Sequence, residues 1–421
     1  MLELFEHQKQ ALEQTKENNK CAYYLDMGLG KTFVGSEKIF ELNNNVNLVV
    51  CQKSKIDDWV THFLLHYDAC VYNLTNKKEF EQFIDDYNFS QKWQVAIINY
   101  ELAFRRPELL KLEQFTLMLD ESSLIQNENA KRSKFIMKLK FENLILLSGT
   151  PTGGKYEKLY SQLYLLGYKL TKKAYWNMYV NYRVDDAEGF PVTIVEGYKN
   201  VERLKRKMRQ YGCVFMKSDE VFNLPQQNFI DIKVNTTKEC RKFRKDCIVE
   251  VENGVELVGD TTLTKMLYER QLCGQYNKAK FEAFKGLIES TDDRLIVFYN
   301  FNEELKKLKE IAQEYNKACS VVNGNIKDLS AYEEVNDSIT FIQYQAGAMG
   351  LNLQKANKII YFSPPLSSEL YEQSKKRIHR IGQQQSCFYY KLICKSSIEE
   401  KIYRTLEMRK DYTDKLFEKE R

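Results

Sequence analysis

The sequence predicts an α/β chain built as two tandem parallel-sheet units with a helical insertion between them. Three observations carry that expectation. Short, β-rich apolar runs alternate with polar amphipathic stretches before residue 148 and again after residue 293, as parallel strands buried on both faces and separated by helices do. A length of 421 residues exceeds what one core usually organises, and an apolar content of 43% is enough to bury two or more. Between the two series, residues 152–223 turn rich in Lys, Tyr and Leu with few strand signals, which reads as helices.

In order, the first unit spans residues 1–151, with strands expected at 46–51, 94–98, 115–119 and 143–147. The insertion covers 152–223. Leu224-Pro225-Gln226-Gln227 marks the next boundary, because proline ends helices and a strand pattern resumes after it. The second unit, 224–421, carries strand signals at 294–299, 338–343, 358–362 and 387–393. No solenoid-period repeat or low-complexity tail is visible.

Composition excludes several classes. The net charge of +5 is a weak pointer to a polyanionic partner. Ten cysteines include no C-x-x-C pair, which argues against zinc ribbons and thioredoxin-like chemistry and for reduced intracellular thiols. The opening MLELFEHQKQ lacks a basic-then-apolar leader, and no apolar run approaches the roughly 20 residues of a membrane span. A cytoplasmic protein with no membrane association is expected.

The chemistry concentrates in a few segments. Asp26-Met27-Gly28-Leu29-Gly30-Lys31-Thr32 follows an apolar run. Glycines in such a loop let backbone N–H groups close around phosphate oxygens, Lys31 can neutralise β/γ charge, and Thr32 can ligate Mg²⁺ at a helix N-terminus. Leu25 stands where the strict G-x-x-x-x-G-K-[ST] pattern has its first glycine. The run 115–119 leads into Asp120-Glu121, with Asp120 placed to hold the metal and Glu121 to polarise an attacking water. A third strand ends in Ser148-Gly149-Thr150-Pro151, whose hydroxyls can sense those carboxylates. Far downstream, Arg377 and Arg380 lie three apart, so on a helix they share a face and can reach one polyphosphate. The glycines and alanines of 346–350 permit close backbone approach. His62 and His66 lack the glutamate and third ligand of a zinc motif and read as structural or surface residues. The basic run 203–209 reads as a solvated face or a phosphate contact.

Taken in this order, the segments resemble the Swi/Snf family of DNA-dependent ATPases within helicase superfamily II. That family carries D-E-M-G-L-G-K-T, D-E-x-H, T-G-T-P, A-G-G-x-G-x-N-L and Q-x-x-x-R-x-x-R-I-G-Q, and the similarity runs from residue 4 to residue 402. The resemblance implies two RecA-like lobes, ATP and Mg²⁺ as cofactors, and double-stranded DNA held by its backbone without regard to sequence. It assigns Gln8 to adenine and Met27, Gly28, Leu29, Gly30, Lys31 and Thr32 to the nucleotide. Arg380 is implied as the arginine finger, Arg377 as its phosphate-facing companion and Gly350 as an interface glycine. Lys53, Ser54, Tyr299 and Asn300 are implied DNA contacts. Three departures stand out: Ser123 replaces the usual histidine, Gln343-Tyr344 replaces a hydroxyl-bearing pair, and the connection from 324 to 341 is short. The implied activity is a monomeric translocase on intact duplex, a protein partner supplying its biological task, in a phage or bacterial cytoplasm. No hairpin is expected between the second-unit strands to act as a wedge. A strand-separating DNA or RNA helicase and a DNA-binding nucleotide-sensing clamp remain the alternatives.

Overall fold

The computed structural model describes residues 3–87, 92–187, 190–347 and 351–417. The chain divides into two units, Met1–Val221 with Asp411–Arg421, and Phe222–Lys410. The second therefore begins two residues before the boundary expected from Leu224.

In the first unit the strands are β1 (Lys20–Leu25), β2 (Val46–Cys51), β3 (Cys70–Asn73), β4 (Gln94–Asn99), β5 (Thr116–Asp120) and β6 (Asn143–Ser148). A hairpin, β7 (Val180–Ala187) with β8 (Phe190–Tyr198), and a late strand, β9 (Cys213–Met216), complete the set. Among the described residues one seven-stranded sheet runs β3-β4-β2-β5-β6-β1-β9. Its ladders are all parallel. Strands β2, β4 and β6 are buried along their whole length, which is why they read as unbroken apolar runs. The helices α1 (Glu6–Glu13), α2 (Lys31–Leu42) and α3 (Ile56–His66) matter most for the chemistry. Gly35 lets α2 lie close on the sheet, since a β-carbon there would stand 2.8 Å from Leu147 Cδ1 and 2.9 Å from Met118 Sδ.

Two expectations need correction. Residues 152–223 are not simply helical. Helices Tyr160–Leu166, Lys172–Tyr179 and Val201–Gln210 are joined by the β7–β8 hairpin, and β9 adds an edge strand to the sheet. The whole stretch up to Val221 folds with the first unit. The hairpin leaves no apolar run because its described side chains are largely solvent-exposed.

The second unit contains β10 (Gln227–Val234), β11 (Ile248–Val251), β12 (Val255–Val258), β13 (Leu295–Tyr299), β14 (Ala318–Val322), β15 (Lys327–Asp328), β16 (Ser338–Gln343), β17 (Lys358–Tyr361) and β18 (Cys387–Cys394). Its main sheet runs β10-β18-β17-β13-β16-β14-β15, parallel except where β15 turns back on β14. The second correction is β11–β12, a hairpin between second-unit strands where none was expected. Its signal was present: Asn253-Gly254 flanked by alternating residues is a strong hairpin cue, and Gly254 takes φ 71°. A buried ion pair, Lys280 with Glu399 at 2.5 Å, ties the helix Lys278–Glu289 to the start of the last helix inside this unit.

Candidate active site

Four adjacent strands of the first sheet, β2, β5, β6 and β1, end at one carboxyl edge, where ligands of open parallel sheets bind. The register brings Asp120 opposite Leu147 and Ser148 opposite Tyr24. The loop after β1 turns through Gly28 at φ 89° and Gly30 at φ 73°, left-handed backbone that favours glycine. Gly30 is the N-cap of α2, so Lys31 and Thr32 open that helix. The Lys31 ammonium donates to Leu25 O at 2.8 Å and Asp26 O at 3.2 Å. A β-carbon on Gly149 would come within 3.2 Å of Lys31 Nζ, so the S-G-T-P turn packs directly on the lysine. Leu29 is fully buried and Met27 half-buried beside it. Gln8 is buried on α1, accepts from Phe5 N at 2.9 Å and donates to Leu29 O at 3.2 Å. Its amide lies where a Gly30 side chain would be, 2.2 Å from the ideal β-carbon.

The two carboxylates sit at the end of β5, half-buried and crowded by protein atoms. Desolvation pushes both carboxyls above the usual range. For Asp120, the Trp59 indole N–H, at 2.8 Å from Oδ2, and the charges of Lys31 and Lys55 work against that rise. For Glu121, the Ser148 hydroxyl at 2.6 Å does so first, with Lys31 and the Ser123 hydroxyl at 2.9 Å also contributing. Both serines donate to the same oxygen, Oε1. Ser123, the residue in the usual histidine position, therefore works on the carboxylate itself. Glu121 takes φ 56°, a left-handed conformation rare for a non-glycine residue and concentrated at functional sites. The donor set suits a triphosphate and a divalent cation. Two of the lysine's partners are carbonyls that phosphate oxygens can replace, and the crowded carboxylates carry negative charge that a cation would relieve. Thr32, at the start of α2, and Asp120, at the end of β5, are the residues that could hold it.

Lys53 and Ser54 are exposed on a single 3₁₀ turn at the end of β2. In the second unit the expected contacts divide. Tyr299 is fully buried, its ring part of the core, whereas the Asn300 amide donates to Ser363 Oγ at 2.8 Å and Pro364 O at 3.0 Å. Arg377 and Arg380 do not share a helix face, because the helix Ser368–Lys375 ends before them. The carbonyl of Arg377 accepts from Leu353 N at 3.1 Å instead of continuing the helix. Its side chain is 1% exposed and reaches Leu351 O, so it braces the 351–353 segment from inside. Arg380 is only half-buried and bonds the Asn352 side chain; burial lowers its pKa. Gly350 lies outside the described residues. His62 accepts or donates at Ser36 Oγ, 2.8 Å away, and belongs to packing, not to a metal set.

Trp59 is the functional candidate that motif reading passed over. It stands four residues after Lys55, and its bond to Asp120 is what marks it.

Comparison with known proteins extends this geometry. A family model for the SNF2-related domain matches residues 7–278, and one for the helicase conserved C-terminal domain matches 279–382. The first runs well past the structural boundary at Phe222. The SWI/SNF-related matrix-associated actin-dependent regulator of chromatin subfamily A member 1 of Mus musculus is 23% identical over 429 residues, covering 91% of this chain and 40% of that protein. The ISWI chromatin-remodeling complex ATPase ISW1 of Saccharomyces cerevisiae is 23% identical, covering 91% and 38%. An uncharacterized ATP-dependent helicase of Mycoplasma pneumoniae is also 23% identical, covering 92% and 39%. The chain thus spans about 40% of the length of these curated relatives. The Sulfolobus solfataricus SWI2/SNF2 ATPase core, solved in complex with dsDNA, aligns with a TM-score of 0.44 at 19% identity, covering 98% of this chain and 92% of that one. Among the described residues no helix is long and apolar enough to cross a membrane.

Proposed function

The chain belongs to the SNF2-related ATPase family, and from that premise we propose that it hydrolyses ATP in response to duplex DNA and moves along the duplex without separating its strands. The observation that supports this most is the shared carboxyl edge of β1, β6, β5 and β2, which carries Lys31, Ser148, Asp120 and Glu121 and, after β2 next to β5, the exposed Lys53-Ser54 turn.

In this reading Gly28, Gly30 and the N-terminus of α2 cradle the phosphates with Lys31, and Gln8 with Met27 and Leu29 supports the base side. Thr32 and Asp120 would hold Mg²⁺, which would supply positive charge towards the transferred phosphoryl group. Glu121 orients the attacking water, its carboxylate held at Oε1 by two serines. Arg380 supplies the finger, and Arg377 holds the loop that carries its neighbours. Lys53, Ser54 and Asn300 meet the DNA backbone, a contact that steps as one unit's grip shifts relative to the other's.

Charge argues for a motor that leaves the duplex closed. The β11–β12 segment 248–258 has three glutamates and no lysine or arginine, and 180–198 has four carboxylates against Arg183 alone. A hairpin driven between DNA strands faces phosphates, which such segments repel.

Two measurements on the purified chain test the reading. Duplex DNA should raise phosphate release above that with RNA or single strands. A third strand bound in the major groove of a duplex should be displaced with ATP while a forked duplex stays paired. Efficient fork opening would favour the helicase alternative, and absence of turnover with any nucleic acid would favour the clamp.

A further inference from the structure

We propose that Trp59 is a positioning residue that orients the Asp120 carboxylate and links it to the Lys53–Lys55 turn; this deepens the function proposed above and rests on it.

The geometry is specific. Trp59 is 2% exposed on α3, and its indole N–H donates to Asp120 Oδ2 at 2.8 Å across a sequence separation of 61 residues. Indole is a donor with no acceptor, so it can hold only one carboxylate oxygen and leaves Oδ1 for another partner. Groups that orient a metal-holding carboxylate or imidazole in this way commonly change metal affinity by tenfold or more when removed. The ring itself is locked, stacked on Phe63 at 5.7 Å and edge-on to His62 at 5.8 Å.

The helix that carries Trp59 is also fastened to α2. His62 meets Ser36 Oγ at 2.8 Å, and Tyr67, at the end of α3, donates to Glu37 Oε1 at 2.7 Å and meets Ser36 Oγ at 2.9 Å. At its other end α3 grows directly out of the Lys53–Lys55 turn, where Lys55 pairs with Asp58 at 2.6 Å. A phosphate pulling on that turn therefore loads a short helix whose second turn and C-terminal end are bonded to the phosphate-loop helix and whose first turn is bonded to Asp120. A purely packing role would need the ring but not its N–H.

The test separates ring from donor. Binding of Mn²⁺, read by its spin resonance in the presence of a non-hydrolysable ATP analogue, is measured for the full chain and for Trp59→Phe, Phe63→Leu and Asp120→Asn. Trp59→Phe should weaken Mn²⁺ binding by about tenfold or more without changing affinity for the analogue in the absence of divalent metal. Phe63→Leu, which disturbs the same packing but keeps the donor, should lower thermal stability and leave Mn²⁺ affinity alone. Duplex DNA should tighten Mn²⁺ binding in the parent chain and not in Trp59→Phe. Unchanged Mn²⁺ affinity in Trp59→Phe alone overturns the positioning role, and an equal gain from DNA in both chains overturns the link. If Asp120→Asn also binds Mn²⁺ normally, the metal assignment itself falls and the inference falls with it.

Discussion

Replacing Ser148 by alanine removes the shorter of the two hydroxyl donors on Glu121 Oε1, at 2.6 Å, and leaves Ser123 at 2.9 Å. Both serines are buried, so water cannot freely take the vacated position. A hydrogen bond to a charged group contributes about 1.5–3 kcal/mol. At about 1.4 kcal/mol per decade of rate, full loss would slow turnover between about ten- and a hundredfold. Because Ser123 still holds the same oxygen, the lower end is expected for Ser148→Ala. The Ser123→Ala change should cost less. The double variant should lose more than the two single effects summed, since each hydroxyl partly covers for the other, with a coupling of order 1 kcal/mol. Ser148 also accepts from Thr150 N at 3.1 Å, so thermal stability must be followed in parallel. The assay is steady-state phosphate release at saturating duplex DNA across an ATP series. The turnover number should fall while KM for ATP holds, as when an interaction made in the transition state is lost. A Ser148→Ala protein with wild-type turnover, or one whose whole defect lies in KM, would refute the role given to this hydroxyl pair.

Arg380→Ala should retain nucleotide binding and lose turnover, by as much as about 10³-fold on the scale of arginine fingers; an unchanged turnover number with DNA saturating would remove it from the mechanism. Lys280→Met leaves Glu399 buried without its partner and should cost about 3–5 kcal/mol in urea unfolding, whereas Lys280→Met with Glu399→Leu should recover most of that; equal losses in the single and double variants would contradict the pairing. His62 is held down to about 4, first by burial and then by the charge of His66. The unfolded chain binds a proton near pH 6.5 that the folded chain refuses, so this stability is complete above about 6.5 and is lost as pH falls towards about 4. His62→Gln should flatten the melting temperature over that window, and parallel curves for the two proteins would exclude His62 as the source.

The two-unit α/β class and the main strands were legible in the residues. A parallel strand buried on both faces must be apolar throughout, so runs such as Val46–Cys51 and Ser338–Gln343 announce themselves locally. The glycine loop before Lys31 and the Asp120-Glu121 pair were legible for the same reason: the turn, the helix start and the strand end are set by neighbours in sequence. The β7–β8 hairpin was not, because its described side chains are mostly solvent-exposed and leave no apolar run. Neither was the fate of Arg377, read on a helix face but buried against Leu351 once its carbonyl bonds Leu353. The bonds from Trp59 to Asp120 and from Ser148 to Glu121 join residues 61 and 27 positions apart. Local pattern names the residue types a site needs. Which donor meets which carboxylate depends on strand order and helix packing, and those follow from burying surfaces that lie far apart along the chain.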